Sequence, residues 1–164
     1  MLLNVRRVDA GQAAALALLW ARANARRLDR AEPRPEEAQN EAQLRERLAR
    51  PGVVAVAGYA GTQLVSCVFA SPAMGADGEP LPGVAHVSLL AVAPELWGRG
   101  YGAHTLAELL QRVQASGVTS AQLCVLEDNR RARSLYEREG WSLVPVARSA
   151  YGGAAGSLRE KPRC

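Results

Sequence analysis

Apolar and polar positions change period several times along this chain, and the changes mark its elements. Residues 2 to 8 form a short β-like run, after which Asp9 stands as a cap for a helix carrying Ala13, Leu16, Leu19, Trp20 and Ala23 on one face. A charged connection from Arg26 to Arg34, interrupted by Pro33, leads to a second helix start at Pro35, Glu36 and Glu37. There proline occupies the first turn and acids sit near the positive helix end. Leu44 and Leu48, four apart, anchor that helix, and Pro51-Gly52 ends it. Two β-rich runs, Val53 to Tyr59 and Gln63 to Phe69, flank Ala60-Gly61-Thr62 and predict a hairpin. Three prolines and Asp77-Gly78 punctuate Ser71 to Gly83, which predicts a long exposed loop before a fourth strand from Val84 to Val92.

Beyond Val92 a glycine-rich turn intervenes, and helical spacing returns through Leu106, Leu109 and Leu110. Gly117 separates this helix from a fifth strand, Thr119 to Leu126. Asp128 or Asn129 then caps a helix bearing Tyr136, and Trp141 to Val146 is the last clear strand. From Ser149 to Cys164 glycine and alanine prevail without periodicity, so the reading there is one short strand around Ser157 to Arg159 in a partly disordered tail. Strands mixed with helices, with no repeat or heptad, predict an α/β protein whose single sheet is covered on both faces.

At 164 residues the chain suits one domain, residues 1–164. It has no apolar run near 18 residues and no signal-peptide core at its start, which predicts a cytoplasmic protein that does not enter membranes. Cys67, Cys124 and Cys164 are odd in number and lack metal-ligand spacing, so they are expected to be reduced structural thiols, and no metal site is expected. A net charge of +4 and a pI of 9.3 are mildly basic, and the arginines are scattered, which argues against nucleic acid as a partner. Four of them, Arg99, Arg130, Arg131 and Arg133, nevertheless flank the two stretches with chemical character, and arginine suits phosphate.

The first such stretch is Trp97-Gly98-Arg99-Gly100-Tyr101-Gly102-Ala103, between strand and helix. Glycines at 98, 100 and 102 let backbone N–H groups turn toward one point that also faces the positive end of the helix, an arrangement suited to a phosphate or diphosphate. A nucleotide P-loop is excluded, because Lys161 is the only lysine. A dinucleotide fingerprint fails where Ala103 or Thr105 stands in place of its third glycine, although an alanine variant survives weakly. The second stretch, Asn129-Arg130-Arg131-Ala132-Arg133-Ser134-Leu135-Tyr136-Glu137-Arg138-Glu139-Gly140-Trp141, lies downstream.

Together these stretches resemble the GNAT family of N-acetyltransferases, which bind acetyl-coenzyme A. The family turn is Gln/Arg-x-x-Gly-x-Gly/Ala, matched here except that Trp97 takes the first position; the second motif is Asn-x-x-Ala-x-x-x-Tyr-x-x-x-Gly-aromatic. The strong resemblance spans residues 84–144. It implies a central mixed, mainly antiparallel sheet in which strands four and five splay apart after Val92, so that the amide-bearing arm of the cofactor pairs with main chain at Leu90, Ala91 and Val92. It also implies a diphosphate cradle from Trp97 to Ala103, arm contacts from Asn129, Ala132 and Arg133, and an oxyanion donor in the Val92 N–H.

Amine acetylation needs a neutral amine, a polarised thioester and a proton for the leaving thiolate. Tyr136 matches the family's tyrosine, and a phenol of pKa about 10 can protonate a thiolate whose thiol resembles cysteine at about 8.5. His86 precedes Val92 by six residues, so in an unbroken strand the two share a face. Some members of the family place a glutamate base there, and an imidazole can serve near neutral pH. Glu95 and Glu127 are weaker base candidates, read as solvated ends, and His104 is read as a surface or cofactor-edge residue. The donor is expected to be acetyl-coenzyme A or another acyl-coenzyme A, and the acceptor a small-molecule or peptide amine that the sequence does not choose. A homodimer is a family-level expectation. The competing readings are a non-catalytic acyl-coenzyme A sensor or partner module, and a domain whose glycine turn binds no cofactor.

Overall fold

The computed structural model describes residues 3–34, 40–144 and 156–161. Seven strands form one sheet in the order β1-β2-β3-β4-β5-β7-β6. In chain order the elements are β1 (Leu3–Arg7), α1 (Ala13–Arg27), α2 (Asn40–Leu48), β2 (Val54–Ala60), β3 (Gln63–Met74), β4 (Pro80–Val92), α3 (Tyr101–Ala115), β5 (Ser120–Leu126), α4 (Arg130–Arg138), β6 (Ser142–Val144) and β7 (Gly156–Lys161). Among the described residues only β4 and β5 pair in parallel, and the other ladders are antiparallel.

Two apolar layers sandwich the sheet. On one side α1 and α2 bury Leu16, Leu19 and Leu44 against Ala55, Val65, Phe69 and Ala91. On the other, α3 and α4 bury Leu106, Leu109 and Tyr136 against Val56, Val68, Val87 and Leu123. Asp9 does cap, but it caps a 3-10 turn leading into α1, by a reciprocal box. Its carboxylate accepts from Gly11 N at 2.7 Å and its own N–H donates to Gln12 Oε1 at 2.9 Å. The predicted helix start at Pro35 to Glu37 lies outside the described residues.

Two sequence expectations are corrected. Ser71 to Gly83 is mostly strand, not loop: β3 continues to Met74, β4 begins at Pro80, and the intervening turn is closed by Gly75 N to Glu79 O at 2.8 Å. The prolines are tolerated because β2 pairs only as far as Ala70 and β5 joins only at Val84, so this ribbon has open edges where a missing N–H interrupts no ladder. The short strand expected around Ser157 to Arg159 is present as β7, which inserts between β5 and β6. The predicted strand end at Val146 and the tail residues 149–155 and 162–164 lie outside the described residues.

The second correction shapes the site. Cys67 pairs with Ala91 but Phe69 pairs with Ser88, so two steps along β3 match three along β4, and Leu89 takes a positive φ of 54°. This is a β-bulge. The extra residue reverses the alternation, so His86 and Val92 point to opposite faces of the sheet.

Candidate active site

Parallel pairing of β4 with β5 ends at Val87 and Leu123, although β4 runs to Val92 and β5 to Leu126. The splay therefore begins five residues before the point expected from sequence. Ala93 N donates to Val65 O at 2.8 Å, which sets the phase of the β3 ladder: Ala91 and Ala93 turn their main-chain groups toward β3, and Val92 turns its own toward the gap left by β5. A wedge with outward backbone groups opens where the bulge ends.

The glycine turn closes one end of that wedge. Gly98 and Gly100 have φ of 81° and 80°, conformations that disfavour side chains, and a Cβ at either would meet only open space. Gly100 is also the N-cap of α3 and supplies no side chain, while the first return bond recorded is His104 N to Gly100 O at 3.0 Å. The amides of Tyr101, Gly102 and Ala103 are thus the unsatisfied donors of the first turn. Gly102 serves a different need: it is buried, and an added Cβ would lie 3.0 Å from Leu135 Cδ1 and 3.4 Å from Val92 Cγ2. Its lack of a side chain lets α3, α4 and the β4 tip meet.

Trp97, the residue that departs from the family turn, reaches back so that its Nε1 donates to Val92 O at 2.8 Å. Arg131 lies over its ring, with guanidinium carbon 4.6 Å from the centroid. Arg131 was not among the expected cofactor residues, and only its arginine chemistry beside the second motif pointed to it. Arg133, which was, donates to Glu127 O at 3.2 Å. Asn129 caps α4, its Oδ1 accepting from Ala132 N at 3.2 Å. Ala132 and Leu135 pack on the same core as Tyr136, whose buried ring meets Trp141 at a centroid distance of 5.8 Å. Arg99 and His104 are exposed, and Glu95 pairs with Arg22 at 3.3 Å.

On the opposite face the bulge carries other chemistry. Ser88 Oγ accepts from Arg47 Nη2 at 2.5 Å, and His86 lies on the same face two residues earlier. Burial holds the His86 imidazole below its usual pKa of 6.5, and the Arg47 cation lowers it further, so it is neutral at neutral pH. Cys67 lies under the bulge with Sγ 3.7 Å from Leu89 O, and burial pushes its thiol up to about 12 despite an opposing backbone hydrogen bond from Ala91. It is no thiolate nucleophile. Cys124 is exposed, and partial burial also raises its pKa. Arg47 and Ser88 escaped the sequence reading because they come together across 41 residues.

Comparison with known proteins now bears on this geometry. A family model described as the acetyltransferase (GNAT) family matches residues 15–141. The chain belongs to that family. The GNAT assignment agrees with solved folds: a PaiA N-acetyltransferase from Thermoplasma acidophilum, in complex with coenzyme A, aligns with a TM-score of 0.79 at 14% identity, covering 99% of both chains. A GNAT acetyltransferase from Brucella melitensis, in complex with acetyl-CoA, aligns at 0.67 and 18% identity over 98% of this chain and 88% of that one. A ribosomal-protein-alanine N-acetyltransferase from the same organism aligns at 0.71 and 18% identity over 97% and 99%. No curated protein shows significant sequence similarity.

Proposed function

We propose that this GNAT protein is an N-acetyltransferase that moves an acetyl group from acetyl-coenzyme A directly to a primary amine in a ternary complex. The observation that carries the reading is the wedge at Val92, whose main chain faces a gap between strands beside an uncapped helix start. Acetyl-coenzyme A, the donor of GNAT enzymes, supplies a thioester-activated acetyl group when bound. The amides from Gly98 to Ala103 fit its diphosphate, and main chain at the β4 tip, where Val92 keeps an outward N–H while its carbonyl accepts from Trp97, faces the path of its amide arm. Solved neighbours that hold coenzyme A or acetyl-CoA support the same donor.

In this reading the Val92 N–H stabilises negative charge growing on the thioester oxygen. Tyr136, from the α4 side, gives its proton to the departing thiolate. His86, from the α2 side, takes the proton lost by the amine, directly or through water. The bulge makes this division workable by sending the two sides of β4 to different partners. Asn129 holds α4 in place with its side-chain oxygen and directs its amide group to the donor arm.

A thermal-shift titration tests the donor, since a ligand at 100 times its dissociation constant adds roughly 2.7 kcal/mol of stability. Thiol release with a panel of amines tests transfer. Binding without release from any amine identifies an acyl-coenzyme A sensor instead, and no shift removes the donor site altogether.

A further inference from the structure

A cavity of about 240 Å³ lies between α1, α2 and the sheet on the His86 face. Buried Leu16, Ala17, Leu44 and Phe69 line its interior, and half-buried Trp20 and Leu89 stand at its rim. Gln43 and Arg47 complete the lining from α2. Leu89 is the bulge residue itself, so the cavity touches the stretch of β4 that leads to Val92, three residues and about 10 Å farther along the strand. An apolar cavity of about 150 Å³ already accommodates benzene, so a ring or a branched chain fits here. A peptide acceptor suits these surroundings less well. The β4 main chain beside the cavity is already paired on both edges, His86 with Ser71 of β3 and with Gln122 of β5. Beyond Val87 the edge left by β5 is the one that the acetyl-transfer reading gives to the donor arm. Among the described residues a peptide acceptor therefore finds no free edge of β4 for its own N–H and C=O groups, and burying those groups unpaired is costly.

We infer that the acceptor is a small primary amine bearing one compact apolar group, a ring or a branched chain, which fills this cavity. The inference rests on the acetyl-transfer reading and narrows its acceptor. With the apolar group held between α1 and the bulge, a short tether carries the nitrogen along β4 on the His86 face toward Val92. The nitrogen forms the bond to the acetyl carbon as the carbon–sulfur bond breaks; the amine proton leaves to His86 or water, the thiolate is protonated, and an N-substituted acetamide and free thiol result.

The test compares kcat/KM for 3-methylbutylamine, ethylamine, phenethylamine, tryptamine, spermidine and a short peptide with an N-terminal leucine, all with acetyl-coenzyme A. Calorimetry with 3-methylbutylamine in the presence of coenzyme A follows binding apart from turnover. 3-Methylbutylamine is expected to exceed ethylamine, an alkylamine of closely similar basicity, by about tenfold to a hundredfold, the range for burying three more carbons. Ala17→Leu puts a larger side chain into the cavity and is expected to collapse that ratio and to weaken 3-methylbutylamine binding; a ratio is insensitive to the fraction of protein folded. Trp20→Leu widens the rim and is expected to raise tryptamine relative to phenethylamine. Preference for ethylamine, spermidine or the peptide, or ratios unmoved in both variants, overturns the acceptor inference and leaves acetyl transfer standing. Hexanoyl-coenzyme A used in preference to acetyl-coenzyme A, with that preference lost in A17L, gives the cavity to the donor's acyl chain and overturns the inference as well. Acetyl-coenzyme A binding with no amine acetylated overturns the transfer reading and this inference with it.

Discussion

The α3–α4 side of the sheet and the α1–α2 side are built from different materials. On the former, the proposed donor surface is mostly backbone: the amides of a glycine turn, the first turn of α3 and the outward groups of a strand tip. On the latter, the proposed acceptor surface is side chain: an apolar wall with an arginine and a histidine beside it, drawn from α1, α2, β3 and β4. A backbone surface recognises a constant ligand and tolerates sequence drift, so it suits the donor shared by a family. A side-chain surface changes with every substitution, so it suits an acceptor that differs from member to member.

Substitutions on each side should therefore fail differently. The largest effect is expected from Tyr136→Phe, with kcat lowered about 10²–10⁴-fold. The acetyl-coenzyme A dissociation constant measured by calorimetry should not change. An unchanged kcat would take the proton-donor role from the α4 side. Next is Gly102→Leu, whose side chain has no room between Leu135 and Val92. Denaturant titration should show a loss of about 1–3 kcal/mol, with donor affinity falling while the acceptor preference of the remaining folded enzyme is kept. Trp97→Ala removes both the bond to Val92 O and the platform under Arg131, and donor affinity should weaken about tenfold.

The smallest expected effect is on pH dependence. His86 has a folded pKa below 6.5, so the rate should hold steady from neutral pH down to that value and fall only as the imidazole gains its proton. Removing the nearby cation in Arg47→Met should move this acid limb upward, and His86→Gln should abolish it. The linked stability has the same sign. The unfolded chain binds the proton more readily than the folded one, so the contribution is complete above about 6.5 and is lost as pH falls toward the lowered folded value. A limb that stays in place in both variants would assign amine deprotonation to solvent.

The contrast also explains what could be read from the sequence. The glycine turn, the Asn129 cap and the Tyr136 helix are local patterns, each fixed by residues within a few positions of one another, and each stands where its motif puts it. The bulge leaves no mark in the alternation of apolar and polar positions. Leu89 and Leu90 are both apolar and both find apolar layers, one on each face. Pro72, Pro80 and Pro82 suggested a loop because propensity cannot tell a central strand from a ribbon with open edges. The cavity and the Arg47–Ser88 bond join segments far apart in the chain, and no local pattern encodes that proximity.

The order β5-β7-β6 also constrains assembly in time. Among the described residues β6 pairs only with β7, yet it precedes β7 in the chain, so when synthesised it lacks that neighbour. During translation the sheet can zip from β1 through β5 as the chain emerges, but its far edge must await the insertion of a later segment. Trp141, buried directly before β6, would report that docking step by fluorescence in a variant that keeps it as the single tryptophan.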